Sequence, residues 1–329
     1  MASSPERPLT QSQKDFFLTH GYLHIPSCFT RTQASDVLQG VWTRLNMSPT
    51  DKSTWRTSEQ GQGRIHMPSH RSFDASVFVP KAWSAICDLC GGSDRITPSS
   101  SQWRDSLIVN LGTPGGEAEK PPVAPKDLNN WHVDGDFFVH YLDSPEQGLL
   151  VIPLFTDVIP DGGGTVICPD AIAGVARWLY EHPEGVSPRM VPRGHGDFDQ
   201  ERNLDWYREL VGGCEEFVEV VGGVGDVYLV HPLMVHSASR NARREFRVIT
   251  NPPVSLREPF CFDRADGGYS LVELKTLRSL GVEAGGGLKR WRITGERERI
   301  VPQRVRVQEA LKREERKRLE ESDKAGATA

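Results

Sequence analysis

GDVYLVHPLMVHSASRNARREFRVIT, residues 225–250, is the stretch whose reading decides the fold. Gly225-Asp226 is a turn signal, and Val227–Val230 after it is a short run of β-branched and aromatic residues. His231-Pro232 interrupts that run, Met234–His236 resumes it, and the charged SRNARR separates it from Phe246–Thr250. Short apolar runs cut by turn residues are the pattern of antiparallel strands, because a helix needs a longer stretch with a 3.6-residue period.

Upstream the same texture recurs in Ser106–Leu111, Phe137–Leu142, Leu149–Phe155, Thr165–Cys168 and Phe217–Val221. Eight such runs predict a mainly β protein with flanking helices, its core a two-sheet jelly roll over about 103–255. Asp161-Gly162-Gly163-Gly164-Thr165 lacks the lysine and following helix of a phosphate loop and reads as a tight turn between strands. Helices come first, within about 10–100. Thr10 and Gln13 make a capping box, Gly21 ends that helix, and Tyr22–Ile25 is a short strand. A second helix is expected over Thr32–Leu45, where Ala34, Val37, Leu38, Val41 and Leu45 share a face, and a third over about 79–90. Residues 46–75 and 112–130 read as loops, Ala171–His182 as a helix, and 183–215 as a polar insertion.

The expected organisation is a disordered N-terminus (1–9), one domain (10–300) and a charged helical or disordered tail (301–329). The tail carries Glu309/Arg313 and Glu314/Arg318 at i,i+4 and reads as a solvated, fraying helix rather than a partner-binding one. The 329 residues are 37% hydrophobic and 25% charged with net charge -5, an ordinary soluble composition without the basic excess of a nucleic-acid binder. No apolar stretch is long enough for a membrane helix and no secretory leader is evident, so a cytoplasmic location is expected, with no membrane or protein partner. A disulfide framework is not expected of the six cysteines, and Cys87/Cys90 read as buried helix thiols.

Two histidines and a carboxylate on one side of a metal suit non-haem iron(II) and leave positions open for a bidentate ligand and dioxygen. In a β-core, His-x-Asp puts two such groups on one side, because side chains alternate along a strand. Three pairs have that spacing: His132/Asp134, His182/Glu184 and His195/Asp197. Ten histidines predict roughly one pair by chance, so spacing alone does not choose among them. His132/Asp134 leads into a strand-like run, His182 precedes Pro183, and His195 lies in a Gly- and charge-rich insertion. His236, ending its own run, is the candidate third ligand. His231, five residues earlier, cannot share its face and reads as a structural histidine, as does His140. Asp136 reads either as a support for Asp134 or as a rim residue. Among Arg240, Arg243, Arg244 and Arg247, only Arg247 lies inside an apolar run. A cation there is costly unless it meets an anion such as a 2-oxoacid carboxylate.

With these residues set out, the chain resembles the phytanoyl-CoA dioxygenase family of iron/2-oxoglutarate oxygenases over about residues 9–250. The resemblance is carried by LTQSQKDFFLTHGYLHIPSCFT, WHVDGDFF, LLVIPLFTDVIPDGGGTVICPDA and, most of all, GDVYLVHPLMVHSASRNARREFR. Pro169-Asp170-Ala171-Ile172 departs from the family's usual Pro-Gly-Ser-His. The resemblance implies a double-stranded β-helix (cupin-like) core and iron(II) held by His132, Asp134 and His236. It further implies 2-oxoglutarate held by Arg247, with Asn110 a further candidate, and it removes His231 and His195 from the ligand set. Some members carry a serine where this chain has Ala238, and Ser237 or Ser239 could substitute. The implied reaction is hydroxylation of a small molecule by dioxygen with release of succinate and carbon dioxide. Asp134 argues against halogenation, since related halogenases have a small residue there. Desaturation, ring formation or endoperoxidation would use the same ligands. The readings of another kind are a non-catalytic metal-binding jelly roll and a metal-dependent one without a 2-oxoacid. Pocket-rim candidates are Trp55, His66, His70, Arg193, His195 and Trp206.

Overall fold

The computed structural model describes residues 9–56, 64–113, 123–201 and 203–327, so all but Leu9 of the expected loose N-terminus lies outside it. The chain opens with α1 (Gln11–His20), capped by the Thr10/Gln13 box and closed by Gly21, and then β1 (Tyr22–Ile25). The second helix is not one element. It divides into α2 (Arg31–Val37) and α3 (Val41–Leu45), because Gly40 sits in the left-handed region at φ 72° and turns the chain. The loop expected at 46–75 contains β2 (Arg64–His66) and β3 (Ser72–Asp74), strands too short and polar to show a period. Its residues 57–63, and 114–122 of the 112–130 loop, lie outside the described residues.

Next come α4 (Ala75–Phe78), α5 (Pro80–Cys90), β4 (Gln102–Arg104), β5 (Ile108–Asn110), β6 (Leu150–Pro153), β7 (Thr165–Cys168) and α6 (Ala171–Glu181). The 183–215 insertion holds a helix that its polarity concealed, α7 (Asp205–Gly212). The chain continues through β8 (Val218–Glu219), β9 (Val227–Val230), β10 (Val235–Ala238), β11 (Arg247–Ile249), α8 (Leu271–Ser279) and α9 (Arg304–Ala327). Phe137–Leu142 is not a strand. It makes only single bridges, Phe138 to Arg299 and His140 to Val186.

Among the described residues the strands pair antiparallel in four small sheets: β1-β9-β6, β10-β7-β8, β11-β5-β2 and β3-β4. A Leu154–Ile249 bridge links the first to the third, and a His132–His236 bridge adds one more rung beside β10. The jelly-roll expectation is thus met in part. The strand content and antiparallel pairing are there, in several short sheets with a large helical share. Every residue of β6, β7 and β9 is buried, so both faces of these strands are covered. One contiguous apolar core runs from Leu9 to Leu277.

The tail is the largest departure from the sequence reading. Residues 304–327 form one helix, and it is not simply solvated: Glu315 is 4% exposed. Its carboxylate takes the Arg44 Nε–H at 2.8 Å and lies 2.9 Å from His70 Nε2, while Arg44 Nη1 reaches Asp105 at 3.0 Å. Leu319 packs over Gly40, where a Cβ would come within 3.1 Å of it. Among the described residues, no helix is long and apolar enough to cross a membrane.

Candidate metal centre

His132 and His236 exchange both backbone hydrogen bonds, at 3.0 and 2.9 Å. Residues directly opposite across an antiparallel rung point their side chains to the same face, so the rung alone brings two imidazoles together, ring centroids 4.4 Å apart. Asp134, two residues on, comes round to that side. Its Oδ1 lies 3.6 Å from His132 Nε2 and 3.5 Å from His236 Nε2. Each ring turns its Nδ1 to a backbone carbonyl, His132 to Asn130 (2.7 Å) and His236 to Met234 (3.1 Å). That fixes the tautomer and frees both Nε2 lone pairs, the arrangement in which imidazoles ligate metals.

The electrostatics agree. Burial, then the charge of His236, lowers the His132 pKa and keeps that ring neutral. Burial pulls Asp134 up, but the two imidazoles beside its Oδ1 outweigh it and hold the carboxyl well below its usual range. In His236 burial is likewise outweighed by Asp134, which raises its pKa. Asn251, which the sequence reading missed, donates from Nδ2 to Asp134 Oδ2 at 3.1 Å and leaves Oδ1 facing the histidines. Buried His140 places Nε2 2.8 Å from the Gly135 carbonyl beside Asp134, so it supports this loop rather than ligating. The donor atoms of His132, Asp134 and His236 lie within 4.8 Å of one another, and the set fits a divalent first-row metal ion bound on one face.

Beside the triad, Asn110 in the middle strand of β11-β5-β2 stands opposite Arg247 on one side and Arg64 on the other. Directly paired residues share a face, so two guanidinium groups flank one carboxamide. Arg247 is 2% exposed and donates to the Gly163 carbonyl (Nε, 2.7 Å) and the Ile108 carbonyl (Nη1, 3.2 Å). Burial, then the charge of Arg64, pushes it down to about 9. Arg64, also missed from sequence, exerts its charge on His66, His236 and Arg247 alike. The Asn110 amide lies 3.4 Å from the Gly163 carbonyl. Ser237 and Ser239 alternate with His236 and face away from the triad; Ser239 bonds the Gly164 carbonyl at 2.9 Å.

The other candidates are placed elsewhere. His231 is fully buried, with Nε2 3.0 Å from Thr276 Oγ1 and Nδ1 accepting from the Leu233 amide at 3.2 Å. Burial pushes it down to about 3, a structural histidine as expected. His182 pairs with Glu184 at 2.8 Å, and exposed His195 lies 3.8 Å from Asp197. Neither joins the triad. Cys90 is a buried free thiol, as expected, whereas Cys87 is free but only partly buried; burial pushes them up to about 12 and about 11. A cavity of about 750 Å³ opens on His132 and Asp134, and His66 is the rim candidate that lines it. Trp55 instead stacks on Trp42 with centroids 5.6 Å apart, and His70 belongs to the Glu315 network.

No family model matches the chain, so none stands behind the resemblance to the phytanoyl-CoA dioxygenase family, and no curated protein matches it. Among solved structures it is similar to the non-heme alpha ketoglutarate dependent carbocyclase SnoK from nogalamycin biosynthesis, with TM-score 0.41 and 15% identity over 89% of this chain and 97% of that one. It is similar to HygX from Streptomyces hygroscopicus with nickel and 2-oxoglutarate bound, with TM-score 0.42 and 14% identity over 78% and 93%. It is also similar to EctD from S. alaskensis with 2-oxoglutarate and 5-hydroxyectoine, with TM-score 0.42 and 14% identity over 75% and 76%.

Proposed function

We propose that the chain is an iron(II)- and 2-oxoglutarate-dependent oxygenase that hydroxylates a small organic molecule and releases succinate and carbon dioxide. One observation carries this reading: His132, Asp134 and His236 converge with both Nε2 atoms free, beside two arginines that bracket Asn110. When bound, the metal supplies the redox chemistry that couples oxidative decarboxylation of the 2-oxoacid to oxidation of a substrate C–H bond. The chain's own residues do the positioning. The two histidines and Asp134 present three donors on one face and leave the other to ligands. Arg247 supplies a planar cation for the far carboxylate of 2-oxoglutarate, and buried Asn110 holds that strand's end in place. Arg64 stands between this arginine and the triad in electrostatic terms, and we assign it to the same cosubstrate. Asn251 holds Asp134 in its ligating rotamer.

The test is anaerobic titration of metal-free protein with iron(II) and then 2-oxoglutarate, followed by visible absorption. A weak charge-transfer band is expected only with both present, and not in His236→Ala. Absence of the band from folded parent protein would favour the non-catalytic metal-binding reading.

A further inference from the structure

The cavity that opens on His132 and Asp134 extends to α9, and charge is unevenly distributed along it. Arg304, Gln308 and Lys312 recur every fourth residue, so they form one stripe of the helix, and that stripe lines the cavity. Arg104, the last residue of β4, and Arg189 line other parts of the wall. Three acids face these four cations. Asp134 belongs to the triad. Asp136 is occupied by Arg304, whose Nη2 reaches it at 2.6 Å and whose Nε makes a second bond. What remains is Arg104, Arg189 and Lys312 against Glu309. Arg189 has its Nε on the Glu201 carbonyl. Neither Arg104 nor Lys312 has a side-chain partner among the described residues. An excess of one sign in a concave, low-dielectric cleft focuses potential and draws in the opposite charge.

We propose that this cavity binds an anionic group of the substrate, a phosphate or a carboxylate, and that Arg104 and Lys312, on its wall, select it. Asp136 lies two residues from Asp134, so the Arg304–Asp136 pair marks the triad end of the stripe. Lys312 is eight residues further along α9, about 12 Å at 1.5 Å per residue. The substrate class is therefore an elongated molecule with its charge remote from the oxidised carbon. Ser69, Ser99, Gln102 and Ser106 line the cavity as well and offer hydrogen bonds to a polar body. The stripe is held in register because Glu315, one turn beyond Lys312, is bound to Arg44 and His70. This inference rests on reading the triad as the reacting end.

The experiment is isothermal titration of inorganic pyrophosphate, and separately of tricarballylate, into metal-free full-length protein at low salt. At least one anion is expected to bind the parent, and the tighter of the two distinguishes phosphate from carboxylate chemistry. Arg104→Gln combined with Lys312→Gln is expected to weaken binding about tenfold or more, with an unchanged melting temperature. Arg247→Leu is expected to leave it intact. The proposal is overturned if neither anion binds the parent, if the double variant binds like the parent, or if binding is lost in Arg247→Leu instead. No metal is present, so failure here leaves the iron reading standing, and failure of the iron test leaves this result standing.

Discussion

At the scale of single residues, the two arginines facing Asn110 give the sharpest test of the cosubstrate reading. Arg247→Leu and, separately, Arg64→Gln are each expected to raise the KM for 2-oxoglutarate about 10- to 100-fold, the worth of one charge-assisted hydrogen-bonded contact. Steady-state assays at varied 2-oxoglutarate check this, and an unchanged KM in both variants would remove them from the cradle. Gly163 joins the same cluster through its carbonyl, which accepts from Arg247. It has φ 80°, and a Cβ there would lie 2.4 Å from Asn110 Nδ2. Gly163→Ala is therefore expected to lower stability by about 2 kcal/mol in a denaturant titration, and to disturb cosubstrate binding with it. The legibility of these residues was uneven for a physical reason. His132 and Asp134 announce themselves by period two, and Arg247 by sitting in an apolar run. Arg64 has no such signal. It lies in the polar run Gln62-Gly63-Arg64-Ile65-His66, and its importance comes from pairing with Asn110 across the sheet. Asn251 likewise acquires its role only when the fold brings it to Asp134.

At the scale of elements, α8 shows how a helix can be fixed by one side chain. Glu273 closes the capping box with Ser270, and its carboxylate also takes Arg95, Arg264 and the Cys261 amide. Burial alone would raise its pKa, but these partners together hold it down at about 2. A depressed carboxyl stabilises the fold above its unfolded pKa and loses that contribution as pH falls through the folded value. The contribution is on the order of 3 kcal/mol. Glu273→Gln is expected to be less stable than the parent by about that amount at pH 7. The difference should narrow below pH ~4.5 and vanish near 2 in urea melts across pH. A gap that stays constant down to acid pH would contradict the assignment. This helix escaped the sequence reading, which offered no element for residues 251–300. The strands Thr165–Cys168 and Val227–Val230 were legible to the residue, because compact β-branched runs bounded by turns leave little choice. Phe137–Leu142 has the same composition but lacks a continuous partner strand, so it makes two isolated bridges and no ladder. Propensity proposes a strand, and pairing decides it.

At the scale of the whole molecule, α9 joins the end of the chain to its beginning. Arg44, Asp105 and Glu315 have side chains 2%, 3% and 6% exposed, and they neutralise one another within hydrogen-bond reach. Cutting the chain after Gln303 leaves Arg44 with half its compensation. It is expected to cost about 3–5 kcal/mol, as when one partner of a buried pair is removed. A thermal or urea melt of the truncated protein checks this, and parental stability would show that α9 merely rests on the surface. The i,i+4 charge pairs of this helix read as a solvated element because local spacing cannot reveal a partner 271 residues away.

The rung between His132 and His236 has a consequence for the order of assembly. Its two residues lie far apart in the chain, so the site exists only after a very long loop has closed. An ion held there is a removable stitch across that loop. It would resist opening as a disulfide does, while leaving the covalent chain unchanged. Hydrogen exchange at the amides of His132 and His236 is therefore expected to slow when iron(II) or nickel(II) is added to metal-free protein, while exchange in distant α8 changes little. Equal slowing everywhere would mean that the rung opens only when the whole molecule does.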